Sequence, residues 1–192
     1  MSLLAATLLF ACSPDDVPTG GASALTLTTP ALASTTFLDE NTCAGADASP
    51  PLTWTAGPAG TSSYAVILTN LSLGAVHWVI WDIPAEVTSL PAALPPAAIL
   101  TAPADAKQVH ELELFGAGGA YRGPCPRGTT RLYEFEIDAL DTATLAGVTP
   151  ASSAEDVTAA VKAASLTHGT IDGTSDATPP AANAVVLSDT KL

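Results

Sequence analysis

Two apolar runs lying almost back to back constrain this chain more than any other feature. Ser63–Asn70 (SYAVILTN) and Val76–Asp82 (VHWVIWD) are rich in β-branched and aromatic residues, which favours strands. Both are nearly continuous in apolar character, so each is expected to be a central strand covered on two faces. Only Leu71–Ala75 separates them, a connection short enough for antiparallel neighbours. A third segment, Arg131–Leu140, does alternate. Arg131, Tyr133, Phe135 and Ile137 share one face, expected to be core or pocket, and Leu132, Glu134, Glu136 and Asp138 share the other, expected to meet mostly solvent.

Around these runs the chain reads as short β segments cut by Pro and Gly. Ala24–Thr29, Thr35–Leu38 and Gln108–Phe115 are further strand candidates. Glu86–Asp105 reads as a long Pro- and Ala-rich surface loop, and Gly116–Gly128 as a Gly/Pro loop. One helix follows Pro150, with Ser152 and Glu155 in capping-box spacing and Val157, Val161 and Ala164 forming one stripe. Gly169 or a nearby residue is expected to end it, and Thr170–Gly173 to add a last short strand. The 192 residues suit one domain with a proper core, placed at residues 24–173. A polar, loosely ordered tail is expected at 174–192.

Charge narrows the function classes. Six Lys+Arg stand against 19 Asp+Glu, a formal net charge of −13. No basic footprint exists for a nucleic-acid backbone, and no polybasic segment for an anionic membrane surface. Met1–Ala11 (MSLLAATLLFA) is too short to span a bilayer core, which needs about 20 residues, and fits the apolar part of a signal peptide. Leu9-Phe10-Ala11-Cys12 resembles a bacterial lipobox. The expectation is a signal peptide over 1–12, lipidation at Cys12 and a flexible Pro/Gly tether over 13–23. The domain would then sit in the bacterial cell envelope, lipid-anchored or periplasmic, with Ser13 favouring the outer membrane of a Gram-negative cell. Cys43 and Cys125 remain as an even pair in an oxidising compartment, either bridged or two small buried thiols.

His77, His110 and His168 lie without Cys or carboxylate at ligand spacing, so neither a metal nor a cofactor is expected. His110 and His168 are expected at the surface, and Trp54, Trp78 and Trp81 in the core. No G-x-S-x-G elbow is present and no nucleophile stands out, which argues against a hydrolase.

Four segments in order carry a family resemblance. They are Asn41–Trp54 (NTCAGADASPPLTW), Pro58–Ala65 running into the first apolar run, Val76–Ala85 (VHWVIWDIPA), and Tyr121–Pro126 (YRGPCP) followed by Tyr133-Glu134-Phe135 and Ala139-Leu140-Asp141. Together they resemble the phosphatidylethanolamine-binding protein family, in its bacterial Raf-kinase-inhibitor-like (YbhB/YbcL-type) branch. The resemblance implies a mainly β fold, a β-sandwich of two antiparallel sheets with a C-terminal helix. It also implies a small anion pocket for a phosphate or headgroup-like ligand, and a binding protein rather than an enzyme. On this chain the pocket's Gly-Pro turn maps to Gly123 and Pro124, its His to His77 and its Tyr to Tyr133, with Asp47 near the rim. Two positions depart from the family pattern: its carboxylate falls on Asn70, and one of its His residues on Arg131. Both changes make the pocket more positive, and Arg131 could clamp an anion through two hydrogen bonds. The alternative is an envelope inhibitor or partner-binding protein with a decayed pocket, using the 86–105 loop as its contact surface.

Overall fold

The two apolar runs form the centre of a five-stranded sheet. In the computed structural model, residues 24–32, 34–110 and 120–181 are described. The expected signal peptide with Cys12, the tether, residues 111–119 and residues 182–192 lie outside them. Ser63–Asn70 (β3) and Ala75–Pro84 (β4) pair antiparallel, as their short connection predicts. Arg131–Leu140 (β7) pairs with the other edge of β3, Ser165–Ser175 (β8) flanks β7, and Lys107–Val109 (β6) flanks β4. Leu27–Thr28 (β1), Leu52–Trp54 (β2) and Ser89–Leu90 (β5) make a second, three-stranded antiparallel sheet with β2 in the middle. Ala154–Ala164 (α1) is the C-terminal helix. The chain thus forms the mainly β sandwich of two antiparallel sheets that the resemblance implied.

Burial explains the sequence pattern. Val66, Leu68, Trp78, Ile80, Phe135 and Ile137 of the large sheet meet Leu27, Leu52, Trp54 and Leu90 of the small one. On the opposite face, Ala65, Ile67, Val79 and Trp81 are covered by Val157 and Val161 of α1. Both faces of β3 and β4 are therefore dry, which is why neither strand alternates. Each such side chain, fully buried, stabilises the fold by about 1.5–3 kcal/mol.

Several expectations need correction. The outer face of β7 is not mostly solvent, because Asp138 is fully buried and accepts a hydrogen bond from Ser165 Oγ at 2.7 Å. The helix is capped one residue later than expected, by Ser153, whose hydroxyl accepts from the Asp156 amide at 3.0 Å. It ends at Ala164, where the backbone turns extended into β8, and not at Gly169. Gly169 lies inside β8, where a Cβ would meet the Leu25 carbonyl oxygen at 1.8 Å, so close backbone approach is what requires glycine there. β8 is eleven residues long because it is a polar edge strand held by β7, and such a strand leaves a weak pattern of its own. It reaches Ser175, so the boundary expected at 173 falls within it. The 86–105 segment is tied down rather than a free surface loop. Leu90 and Leu100 are buried, and Gln108 Nε2 donates to the carbonyls of Pro95 and Ala97 at 2.7 and 2.8 Å. His110 is fully buried, with Nδ1 3.1 Å from the Ala120 carbonyl, and not at the surface.

Candidate functional site

The site lies where β3, β4 and β7 meet the 121–128 segment. Asn70, the last residue of β3, stands opposite Tyr133 of β7. The β3–β4 register shifts between Leu68, paired with Trp78, and Thr69, paired with Val76, so His77 is the extra residue of a bulge. Bulges re-aim side chains, and this one sets the His77 ring edge-on to Tyr133, with centroids 5.4 Å apart. Arg131 precedes Tyr133 by two residues and shares its strand face. Asn70, His77, Arg131 and Tyr133 all line one cavity of about 270 Å³. Cys125, Pro126 and Arg127 complete its wall, with Leu73 at the hairpin turn.

Electrostatics follow from burial. Burial lowers the His77 pKa below its ordinary value, although contacts with the backbone at Arg122 and Gly123 and the nearby Asp47 charge pull the other way. Its Nδ1 lies 3.2 Å from the Arg122 carbonyl and must carry the proton in that contact. Burial raises the Tyr133 hydroxyl above its ordinary pKa, opposed by Arg131 and by the Cys125 backbone. At neutral pH the lasting positive charge of the cavity therefore comes from Arg127 and Arg131.

The structure does not bring Asp47, Gly123 and Pro124 into the cavity wall. Asp47 Oδ1 accepts the Gly123 amide at 2.7 Å, and Oδ2 lies 3.5 Å from the Arg122 guanidinium. The turn thus has no donor left for a ligand, since Pro124 carries none. Glycine is needed at 123 because a Cβ would meet the Asn41 carbonyl oxygen at 2.2 Å. These residues form a support behind the site. Tyr121 donates to the same Asn41 carbonyl at 2.9 Å, and Cys43 is joined to Cys125 in a disulfide. Sequence reasoning missed Arg127. It sits at positive φ in a turn whose amides donate to carbonyls beyond β8: Arg127 to Ala177 at 2.8 Å and Gly128 to Asp176 at 3.0 Å. Its only sequence signal was being one of three arginines within ten residues of a chain that has few bases.

Two other places gather charged groups. A depression of about 340 Å³ includes Asp82, Glu86 and Asp105, and its base, Lys107, is paired with Asp82 at 2.5 Å. Glu136 and Asp138 of β7 and His168 of β8 bring ligand atoms within 4.8 Å of one another, a grouping that sequence spacing hides. Lys162 of α1 pairs with Glu136 and lies 3.5 Å from Asp138, so an ammonium already supplies the cation there.

Comparison with known proteins decides the family, because the profile described as phosphatidylethanolamine-binding protein matches residues 28–176. The chain belongs to that family. It is 36% identical over 124 residues to a UPF0098 protein of Methanothermobacter thermautotrophicus, covering 63% of this chain and 78% of the relative. It is 34% identical over 122 residues to a UPF0098 protein of Aquifex aeolicus, covering 60% and 67%. Among solved structures it is similar to Escherichia coli YbcL, described as a new member of the mammalian PEBP family. That match has a TM-score of 0.66 at 25% identity and covers 81% of this chain and 99% of YbcL. The cavity of this family member is thus built by its strand ends and its disulfide-linked loop.

Proposed function

We propose that this chain is a non-enzymatic binding protein whose cavity holds a small anion, a phosphate or a headgroup-like group. One observation carries the reading. Among the described basic residues, Lys107, Arg122 and Lys162 are each paired with a carboxylate, whereas Arg127 and Arg131 have no ion pair among the described residues. Both uncommitted arginines line the same cavity. In a chain of net charge −13, two arginines lining one cavity concentrate positive charge where an anion can be drawn in. Arg131 is half-buried at the start of β7, where its guanidinium could take two oxygens of a phosphate or carboxylate. The Asn70 amide and the Tyr133 hydroxyl stand beside it as hydrogen-bonding groups.

The disulfide between Cys43 and Cys125 supports placement in an oxidising compartment, which fits the envelope location expected from the leading apolar run. In this reading Cys12 carries the lipid and the domain works outside the cytoplasm. Among the described residues no helix is long and apolar enough to cross a membrane.

The test is thermal unfolding of the protein across a series of inorganic phosphate concentrations. At a hundred times Kd, one bound phosphate should stabilise the fold by about 2.7 kcal/mol. Arg131→Ala should weaken binding by about tenfold or more without lowering the unliganded Tm by more than a few degrees. An unliganded wild-type Tm that phosphate leaves unmoved refutes the anion site.

A further inference from the structure

We infer that the cavity selects a phosphomonoester group that bears no neighbouring ammonium, and disfavours zwitterionic ligands such as phosphoethanolamine. The inference rests on the anion-site reading and deepens it by naming which anions fit. Its basis is the sign of the charged groups that line the cavity. Arg127 and Arg131 line it, and no carboxylate does so among the described residues. Asp47, whose charge reaches His77, is not among the lining residues, and its two oxygens are engaged by the Gly123 amide and the Arg122 guanidinium. At Asn70 the wall offers a neutral amide, able to donate to a phosphate oxygen but without charge to balance a cation.

A ligand whose phosphate is clamped by Arg127 and Arg131 must carry its substituents outward past these same two cations. An ammonium two carbons beyond the ester oxygen then sits near two like charges, with no carboxylate among the described lining residues to offset them. A neutral polyol or alkyl substituent meets no such repulsion. Leu73, which is 59% exposed at the cavity edge, offers such a substituent an apolar contact.

Isothermal titration of the full chain with glycerol 3-phosphate and with O-phosphoethanolamine, at one ionic strength and pH 7.5, tests the inference. Both ligands carry a phosphomonoester and differ chiefly in the ammonium. Glycerol 3-phosphate should bind at least tenfold more tightly. Equal or tighter binding of O-phosphoethanolamine overturns the selectivity and leaves the anion site standing, whereas binding of neither ligand removes both. Asn70→Asp restores a negative charge to the wall with little change of shape, and should narrow the ratio by several-fold or invert it. An unchanged ratio in folded Asn70→Asp protein, judged by an unchanged circular dichroism spectrum, would also overturn it.

Discussion

Asp47 ties together two segments 76 residues apart, since its Oδ1 takes the Gly123 amide while its backbone sits at φ 53°. Removing the carboxylate would leave a buried N–H without a partner, at a cost of about 1–3 kcal/mol. Asp47→Ala should therefore lower unfolding free energy by that amount in urea titrations. Asp47→Asn keeps an acceptor and tolerates the left-handed conformation, so its loss should be clearly smaller. Near-equal losses in the two variants would mean that the Gly123 contact is not what matters. At this scale some of the residues that the sequence singled out line one cavity and others stand behind it. Asn70, His77, Arg131 and Tyr133 could be picked out because they lie on strands whose pattern fixes which residues share a face. Gly123, Pro124 and Asp47 were assigned to ligand binding because residue type does not say which way a loop amide points. Arg127 was missed because its position depends on chain that pairs only after β8 is in place.

Several ties hold the 121–128 segment, and three of them join it to distant chain. They are the disulfide to Cys43, the Asp47–Gly123 hydrogen bond, and the amides of Arg127 and Gly128 on the carbonyls of Ala177 and Asp176. The disulfide closes a span of 82 residues, so its loss should cost about 2–5 kcal/mol. The Cys43→Ser/Cys125→Ser double variant should show that loss in denaturant. It should also bind phosphate several-fold more weakly, because Cys125 and Arg127 belong to the cavity wall. Unaltered phosphate affinity in a destabilised double variant would show that the remaining ties are enough to hold the loop. Elements differ in how openly the sequence declares them. β3, β4 and β7 carry eight to ten residues of strong pattern, whereas β1, β2 and β5 carry two or three and exist only against one another. β8 is long but polar, and owes its register to β7.

Across the whole molecule, proton binding should give a plateau of stability near neutral pH. Burial holds the His77 pKa below about 6.5, so the unfolded chain takes up that proton first and stability falls as pH drops through this region. Burial also raises Tyr133, and raises the fully buried Tyr121 well above its ordinary value. The unfolded chain then loses those protons first, and stability falls above about pH 10. Glu134 and Asp138, raised mainly by burial, act in the opposite sense at lower pH. They bind protons sooner in the folded state and offset part of the acid loss. Urea midpoints measured from pH 4 to 11 should trace this shape, and a His77→Asn variant should flatten the limb just below pH 6.5. A wild-type midpoint that stays level between pH 7 and 5 would contradict the His77 assignment.

The tie between the 126–128 turn and residues 176–177 also has a consequence in time. Wherever the chain is delivered from its N-terminal end, β3, β4 and β7 are available well before Asp176 and Ala177. The nascent sheet can close and the cysteines can meet, yet the turn bearing Arg127 has nothing to hang from until the end of β8 is out. Closure of the cavity wall at Arg127 is thus among the last events of folding, arriving after most of the core has already condensed.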